Sequence, residues 1–182
     1  HFAGTPVKNV ALSAGGRTVR GEIMIMDDGI EGGAIYALSA QLRAPETELV
    51  IDLKPDLSDA QVAERLSRPR GKDSRSTFLR KTLNLPAVSI ALMKECAAES
   101  PKRLHLKLQG PAGLRRAIST AGGVARSEVD ENYRLRKVPN TWAVGEMLDW
   151  DAPTGGYLLQ ACFSTARWAA EDCLRHLNLT RN

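Results

Sequence analysis

Metal ligands and potential cross-links are scarce in this chain of 182 residues, which has only three cysteines and three histidines. His1, His105 and His176 are scattered, so neither a zinc site nor a Cys/His catalytic pair is expected. Cys162 and Cys173 share one helical pattern, but their spacing corresponds to about 16 Å at helical rise, too far for a disulfide. Cys96 stands alone in another segment. Reduced, buried cysteines in a cytoplasmic protein are the expectation. No apolar run approaches the roughly twenty residues of a membrane span, which argues against a membrane partner. The phosphate-binding patterns G-x-G-x-x-G and G-x-x-x-x-G-K-[ST] are both absent, and Gly29-Ile30-Glu31-Gly32-Gly33 has the wrong spacing for either. The start, His1-Phe2-Ala3-Gly4-Thr5-Pro6, has neither a Met nor a signal-peptide pattern and reads as a cut end or a tag remnant.

What is present is ordinary for a globular chain: 43% hydrophobic, 25% charged and a net charge of +4. That charge permits an anionic partner without demanding one. The length suffices for one good core or two small ones. Val7 to Ala14, Thr18 to Met26 and Leu49 to Leu53 read as short strands, with Ile23 and Ile25 opposite Arg20, Glu22 and Met24. Ala34 to Leu42 reads as one helix starting at Gly32-Gly33 and burying Ile35, Leu38 and Leu42. Ser58-Asp59-Ala60-Gln61 has the form of a capping box, and further helices are expected after Ser74 or Ser76 and after Pro86. These make a small helical subdomain over about 56–100, closed by a returning strand from Leu104 to Leu108. Arg68, Arg70, Lys72, Arg75, Arg80 and Lys81 make the subdomain the most basic part of the sequence. A solvated helical face is the favoured reading. A platform for a phosphate-bearing substrate such as RNA is the alternative, weakened because no Tyr or Trp is interleaved and Phe78 reads as internal.

The most informative stretch runs from Thr141 to Leu177. Thr141 to Val144 suits a short buried strand, and the polar run before it, Val129 to Val138, reads as a surface excursion. Glu146 and Asp149 follow in a loop that ends at Pro153-Thr154-Gly155-Gly156. A helix from about Tyr157 to Leu177 then carries Leu159, Cys162, Phe163, Ala166, Ala169, Ala170, Cys173, Leu174 and Leu177 at three- and four-residue steps, which predicts one buried face. Paired glycines at a helix start let a ligand approach the backbone. The first turn adds unpaired N–H groups and the positive end of the helix dipole. Such a site suits a phosphate, a carboxylate or the electron-rich edge of a reduced flavin. Spacing alone favours a plainer reading, a strand-loop-helix crossover with a glycine turn.

The wording of the motifs adds to this. Ala121-Gly122-Gly123-Val124, Val144-Gly145-Glu146-Met147-Leu148-Asp149 and Thr154-Gly155-Gly156-Tyr157-Leu158-Leu159-Gln160 closely resemble the C-terminal flavin segment of the HI0933-like (BaiN-like) NAD(P)/FAD-dependent oxidoreductases. Gly21 to Ile25, Gly29 to Gly33 and Asp52 to Leu57 look like that family's inserted domain. Met26 stands where the family commonly has Thr, which puts a hydroxyl role there in doubt. The resemblance implies an α+β chain. It would have an inserted, mostly-β, barrel-like domain over 1–118 with the helical subdomain, then the strand-loop-helix remnant of a Rossmann-like FAD-binding domain over 119–182. Because G-x-G-x-x-G is absent, the chain looks like the second half of a flavoprotein, partnered by a missing N-terminal FAD-binding half or by another chain.

The cofactor so implied is FAD, with NAD(P)H as candidate reductant. Its candidate contacts are Gly122, Gly123, Val124, Gly145, Glu146, Asp149, Gly155, Gly156, Tyr157 and Leu158. Asp149 would bond a ribityl hydroxyl or cap the loop. The N–H groups of Gly156, Tyr157 and Leu158 would face the N1/C2 edge of the ring. Gly122 and Gly123 would let backbone pass close to it. Glu146 would serve the same loop or act as a structural acceptor. No residue stands out as a catalytic acid or base. The competing function is a non-catalytic module whose basic helices hold nucleic acid or a partner chain.

Overall fold

Two adjacent glycines start the architecture. The computed structural model describes residues 2–44, 47–117, 119–152 and 155–179, and these fall into two units, His1–Ala112 and Gly113–Asn182. In the first unit, β1 (Thr5–Ala14) and β2 (Arg17–Ile25) form an antiparallel hairpin in which Ala14 pairs with Arg17. Only Gly15 and Gly16 lie between them, with φ of 52° and 77°. A two-residue turn of this hand needs positive φ at both positions, which glycine accepts without steric cost.

A bulge sets which side chains of β1 face inward. The register of β1 against β2 shifts between Val7 and Val10, and Asn9 there takes φ 52°. Val7, Val10, Leu12 and Ala14 are all buried, although Val7 is out of phase with the other three in a strict alternation. The extra residue restores the phase, so both halves of the strand present their apolar side to one core. The sheet is completed by β3 (Ile30–Glu31), β4 (Leu49–Asp52) and β5 (Leu104–Leu106) in the order β3-β2-β1-β4-β5, every pairing antiparallel.

Between β3 and β4, the expected single helix is two one-turn helices, α1 (Gly33–Tyr36) and α2 (Ser39–Leu42), broken at Ala37 and Leu38. Gly32 precedes them at φ 118°, and a Cβ there would lie 3.1 Å from the Glu22 carbonyl oxygen. It is therefore a packing glycine against β2. Between β4 and β5 come α3 (Asp59–Leu66), α4 (Arg75–Leu83) and α5 (Ala87–Glu95). The capping box of α3 is complete: Gln61 N–H donates to Ser58 Oγ at 3.2 Å, and Ser58 N–H donates to Gln61 Oε1 at 2.9 Å. Ser74, not Ser76, caps α4. Val62, Leu79, Leu83, Val88, Ile90, Leu92 and Met93 join Leu12, Ile23, Leu49, Ile51 and Leu104 in one apolar cluster. The result is an α+β unit in which a curled, half-barrel sheet and helices share a core.

The second unit is built differently. It holds 3₁₀ turns at Leu114–Arg116, Arg126–Glu128 and Gly145–Met147, and one long helix, α6 (Tyr157–Leu179). Strand pairing among its described residues is confined to isolated bridges, Val124↔Leu148, Val129↔Leu135 and Arg134↔Trp142. The strand expected over Thr141 to Val144 is thus a single bridge at Trp142, because only Arg134 offers it a partner. The run from Val129 to Val138 is a surface excursion only in part: Glu131 and Arg136 to Val138 are exposed, but Val129 is fully buried, and Asp130 holds its turn by accepting from the N–H groups of Asn132 and Arg134. The buried face of α6 is also displaced from the expected one. Leu159, Phe163, Leu174 and Leu177 are each more than half exposed, and Ala166 and Ala170 are exposed too. The packed side carries Ala161, Cys162, Thr165, Ala169, Asp172 and Cys173, about a third of a turn away at 3.6 residues per turn. Polar anchors decide this, since Thr165 and Asp172 bond the loops on that side.

Candidate functional site

Gly122 to Val124 runs beside the turn that begins at Gly145. Val124 N–H donates to the Met147 carbonyl at 2.8 Å, and Asp149 N–H donates to the Val124 carbonyl at 2.9 Å, so the two segments pair in parallel. Gly123 is required by this approach. Its φ is +142°, and a Cβ would sit 2.5 Å from the Met147 carbonyl oxygen and 2.9 Å from the Leu148 carbonyl carbon. Gly122, at φ +96°, has no atom within 4 Å of where its Cβ would be. One glycine serves the chain's own packing; the other faces open space.

The same turn sits on α6. Gly145, at φ +63°, would place a Cβ 2.9 Å from Cys162 Sγ, and its N–H donates to Thr165 Oγ1 at 3.0 Å. The Thr165 hydroxyl in turn donates to the Ala161 carbonyl at 2.7 Å. Glu146 and Asp149 are both exposed but differently engaged. Glu146 Oε1 accepts from Thr120 N–H at 2.8 Å, which fixes the approach to Gly122. Asp149 has no side-chain partner among the described residues.

Gly155 and Gly156, at φ +100° and +87°, are exposed and lead into α6. The Gly156 carbonyl accepts from Gln160 N–H at 3.1 Å, closing the first helical turn. The N–H groups of Tyr157, Leu158 and Leu159 then have no intrahelical acceptor. The first turn holds no acidic residue to offset the dipole. Tyr157 is exposed, whereas Leu158 is half-buried. Pro153 and Thr154, expected to close the preceding loop, lie outside the described residues, as does Ile118 before Thr120. Gly122, Gly123, Val124, Gly145, Glu146 and Asp149 therefore come together in one loop cluster, and that cluster sits on the helix that Gly155, Gly156, Tyr157 and Leu158 begin.

Residues that motif reading did not single out hold this arrangement. Asp172 is 7% exposed and accepts from Arg134 Nη2 at 2.8 Å and Trp142 Nε1 at 3.0 Å. The Arg134 hydrogen bond, then that of Trp142, keeps its carboxyl below the usual carboxylate range. The Arg134 guanidinium also lies over the Trp142 ring, 5.3 Å from its centroid. An acid among the small residues Ala169 and Cys173 was the available signal. Burial first, then Glu95, raises the thiol pKa of Cys96, which disfavours its thiolate. Among the described residues no cluster of His, Cys, Asp and Glu could hold a metal, and no helix is long and apolar enough to cross a membrane.

Two comparisons fit this picture. The chain is 26% identical over 190 residues to the ribosomal RNA dihydrouridine synthase of Escherichia coli (strain K12), a match covering 95% of this chain and 47% of that protein. It thus spans about half the length of that relative. The family model described as the HI0933-like protein barrel and H2TH domain matches residues 1–119, which takes in the half-barrel sheet and the helices between β4 and β5. The chain belongs to the HI0933-like family.

Proposed function

We propose that this chain supplies the isoalloxazine and ribityl side of an FAD site, together with the substrate-side barrel and helices, of a flavin-dependent oxidoreductase. The second unit is then the loop-and-helix portion of a Rossmann-like domain. Its dinucleotide-binding part, carrying the pyrophosphate motif, would come from outside these 182 residues. The observation that carries the reading is the site's open backbone: Gly122 and Gly156 have free space where a side chain would be, and Gly156 leads into a helix start with unpaired N–H groups. That surface fits an electron-rich ring edge. FAD would supply two-electron chemistry, with NAD(P)H as the reductant. The chain's own part is positional. The first turn of α6 stabilises negative charge at the ring edge, Asp149 accepts from a ribityl hydroxyl, and Glu146 holds the Thr120 to Gly122 approach in place. The relative is named for making dihydrouridine in ribosomal RNA. By extension, the substrate proposed here is a pyrimidine in RNA.

Titration with FAD, followed by quenching of Trp142 and Trp150, tests this. The chain alone is expected to bind weakly or not at all, and binding should appear when a dinucleotide-binding half is supplied. Gly122→Ala should then lower FAD affinity at least about tenfold while costing roughly 1 kcal/mol of stability through its φ alone. Unchanged affinity in Gly122→Ala would refute the placement of the ring. A chain that binds RNA yet never gains flavin would instead be a non-catalytic binding module.

A further inference from the structure

The chain's positive charge is concentrated in one place. From Arg65 to Lys81 there are seven basic residues and one acid, Asp73. Removing these from the chain's 25 basic and 21 acidic residues leaves 18 and 20, so the rest of the molecule is slightly acidic. The single acid is neutralised locally, because Lys81 Nζ donates to both Asp73 oxygens at 3.0 and 2.9 Å. Arg68 and Arg70 are exposed, and their guanidinium groups have no hydrogen bond or ion pair among the described residues. Asp73 N–H donates to the Arg70 carbonyl at 3.3 Å and Gly71 takes φ +60°, so a tight turn holds Arg70 and Lys72 at the tip between α3 and α4.

This charge borders a groove. Leu66, Arg68, Arg70, Phe78, Arg75 and Glu99 line a shallow hollow of about 410 Å³. A second hollow of about 340 Å³ continues it, with Arg75 and Glu99 on both. Arg75 is fixed where they meet by donating to the carbonyls of Ala98 and Glu99, each at 3.2 Å. Phe78, expected to be internal, is half-buried and lines the floor. An aromatic surface bordered by exposed guanidinium groups and by the anchored Arg75 suits an unstacked base with its flanking phosphates. Glu99 also lines the hollow, and its negative charge disfavours phosphate beside it and suits the N–H edge of a base instead.

We infer that the α3–α4 groove is a docking site for unpaired RNA, with Arg68, Arg70 and Arg75 on phosphates and Phe78 under a base. This deepens the reading of RNA as substrate and rests on it. An acidic protein segment is the competing occupant, but it would have no use for an aromatic floor between arginines.

The test is fluorescence anisotropy of the full 182-residue chain with a labelled RNA hairpin bearing an unpaired loop, repeated at several salt concentrations. Arg68→Glu with Arg70→Glu is expected to weaken binding at least about tenfold and to flatten the salt dependence by about 1.4 in log–log slope. Lys8→Glu with Arg17→Glu, the same charge change at exposed strand positions, should cost less than about twofold. Phe78→Leu keeps an apolar side chain in place. It should weaken binding of the looped RNA at least about threefold and leave a fully paired duplex unaffected. Equal losses in the two charge-reversal variants, no loss in Phe78→Leu, or displacement by polyglutamate as effective as by RNA would each overturn the site. Absence of RNA binding by the unaltered chain would overturn it together with the RNA substrate. The flavin reading is judged separately by the FAD titration.

Discussion

Asp172 shows how much of the second unit rests on one side chain. It is buried on α6 and ties that helix to both Arg134 and Trp142. Its pKa is depressed, chiefly by the Arg134 hydrogen bond. A depressed carboxylate contributes stability that is fully present above the unfolded value, about 3.9. That contribution is lost as pH falls through the lower folded value. All three tryptophans, Trp142, Trp150 and Trp168, lie in the second unit, so their emission reports on this lock. We expect emission to stay constant from neutral pH down to about 4 and to change only below it. Asp172→Asn should remove that acid step and lower the unit's melting temperature at neutral pH, because Arg134 then loses its counter-charge. A fluorescence transition centred between pH 5 and 7 in the unaltered chain would assign the lock elsewhere. Little of this was legible in the sequence. An acid on a helix of small residues gives a hint, but its partners are 30 and 38 positions away.

The elements divide into those that local chemistry specifies and those that it does not. The capping box at Ser58, the Gly15–Gly16 turn and the proline at the start of α5 each act within four residues, and the structure has them where their residue types require. The bulge of β1 is different, because it depends on matching one strand to a core that the whole unit assembles. Asn9 accepts a left-handed φ of 52°, and its amide donates to Asp56, which also pairs with Arg20. Asn9→Gly is expected to cost less than about 1 kcal/mol, since glycine fits the backbone and only two exposed bonds are lost, one donated to Asp56 and one accepted from Arg20. Asn9→Val should cost about 2 kcal/mol or more, because a β-branched residue is strained there. Urea unfolding followed by circular dichroism measures both as shifts in midpoint at constant slope. Equal costs would mean that the bulge imposes no backbone demand. Helix α6 teaches the same lesson from the other side. Its three-and-four periodicity identified a helix, but two of its faces are apolar or small. Periodicity could not say which of them the neighbouring loops would cover; Thr165 and Asp172 did.

At the scale of the whole molecule the two units are unequally finished. Nineteen described hydrophobic residues of the first unit form one buried cluster. The second unit's described buried hydrophobics are Val129, Ala143 and Ala169, while Leu159, Phe163, Leu174 and Leu177 are each more than half exposed along one side of α6. A stripe that apolar would ordinarily be covered. In the proposed flavoprotein its cover is the dinucleotide-binding half of the same domain, whose sheet would lie against α6 and so complete the FAD site. Local opening should follow the same inequality, because protection tracks buried contacts. Amide exchange of the chain alone is therefore expected to be slow in β1, β4, β5 and α5 and fast in α6 and from Thr120 to Val124. Adding the dinucleotide-binding half with FAD should slow α6 and Thr120 to Val124 together by at least about tenfold, with little change in the first unit. Equal protection of the two units in the isolated chain would show that α6 is stable without a cover. Slowing of α6 without the glycine segment would separate the cover from the cofactor site, and the two could no longer be read as one domain.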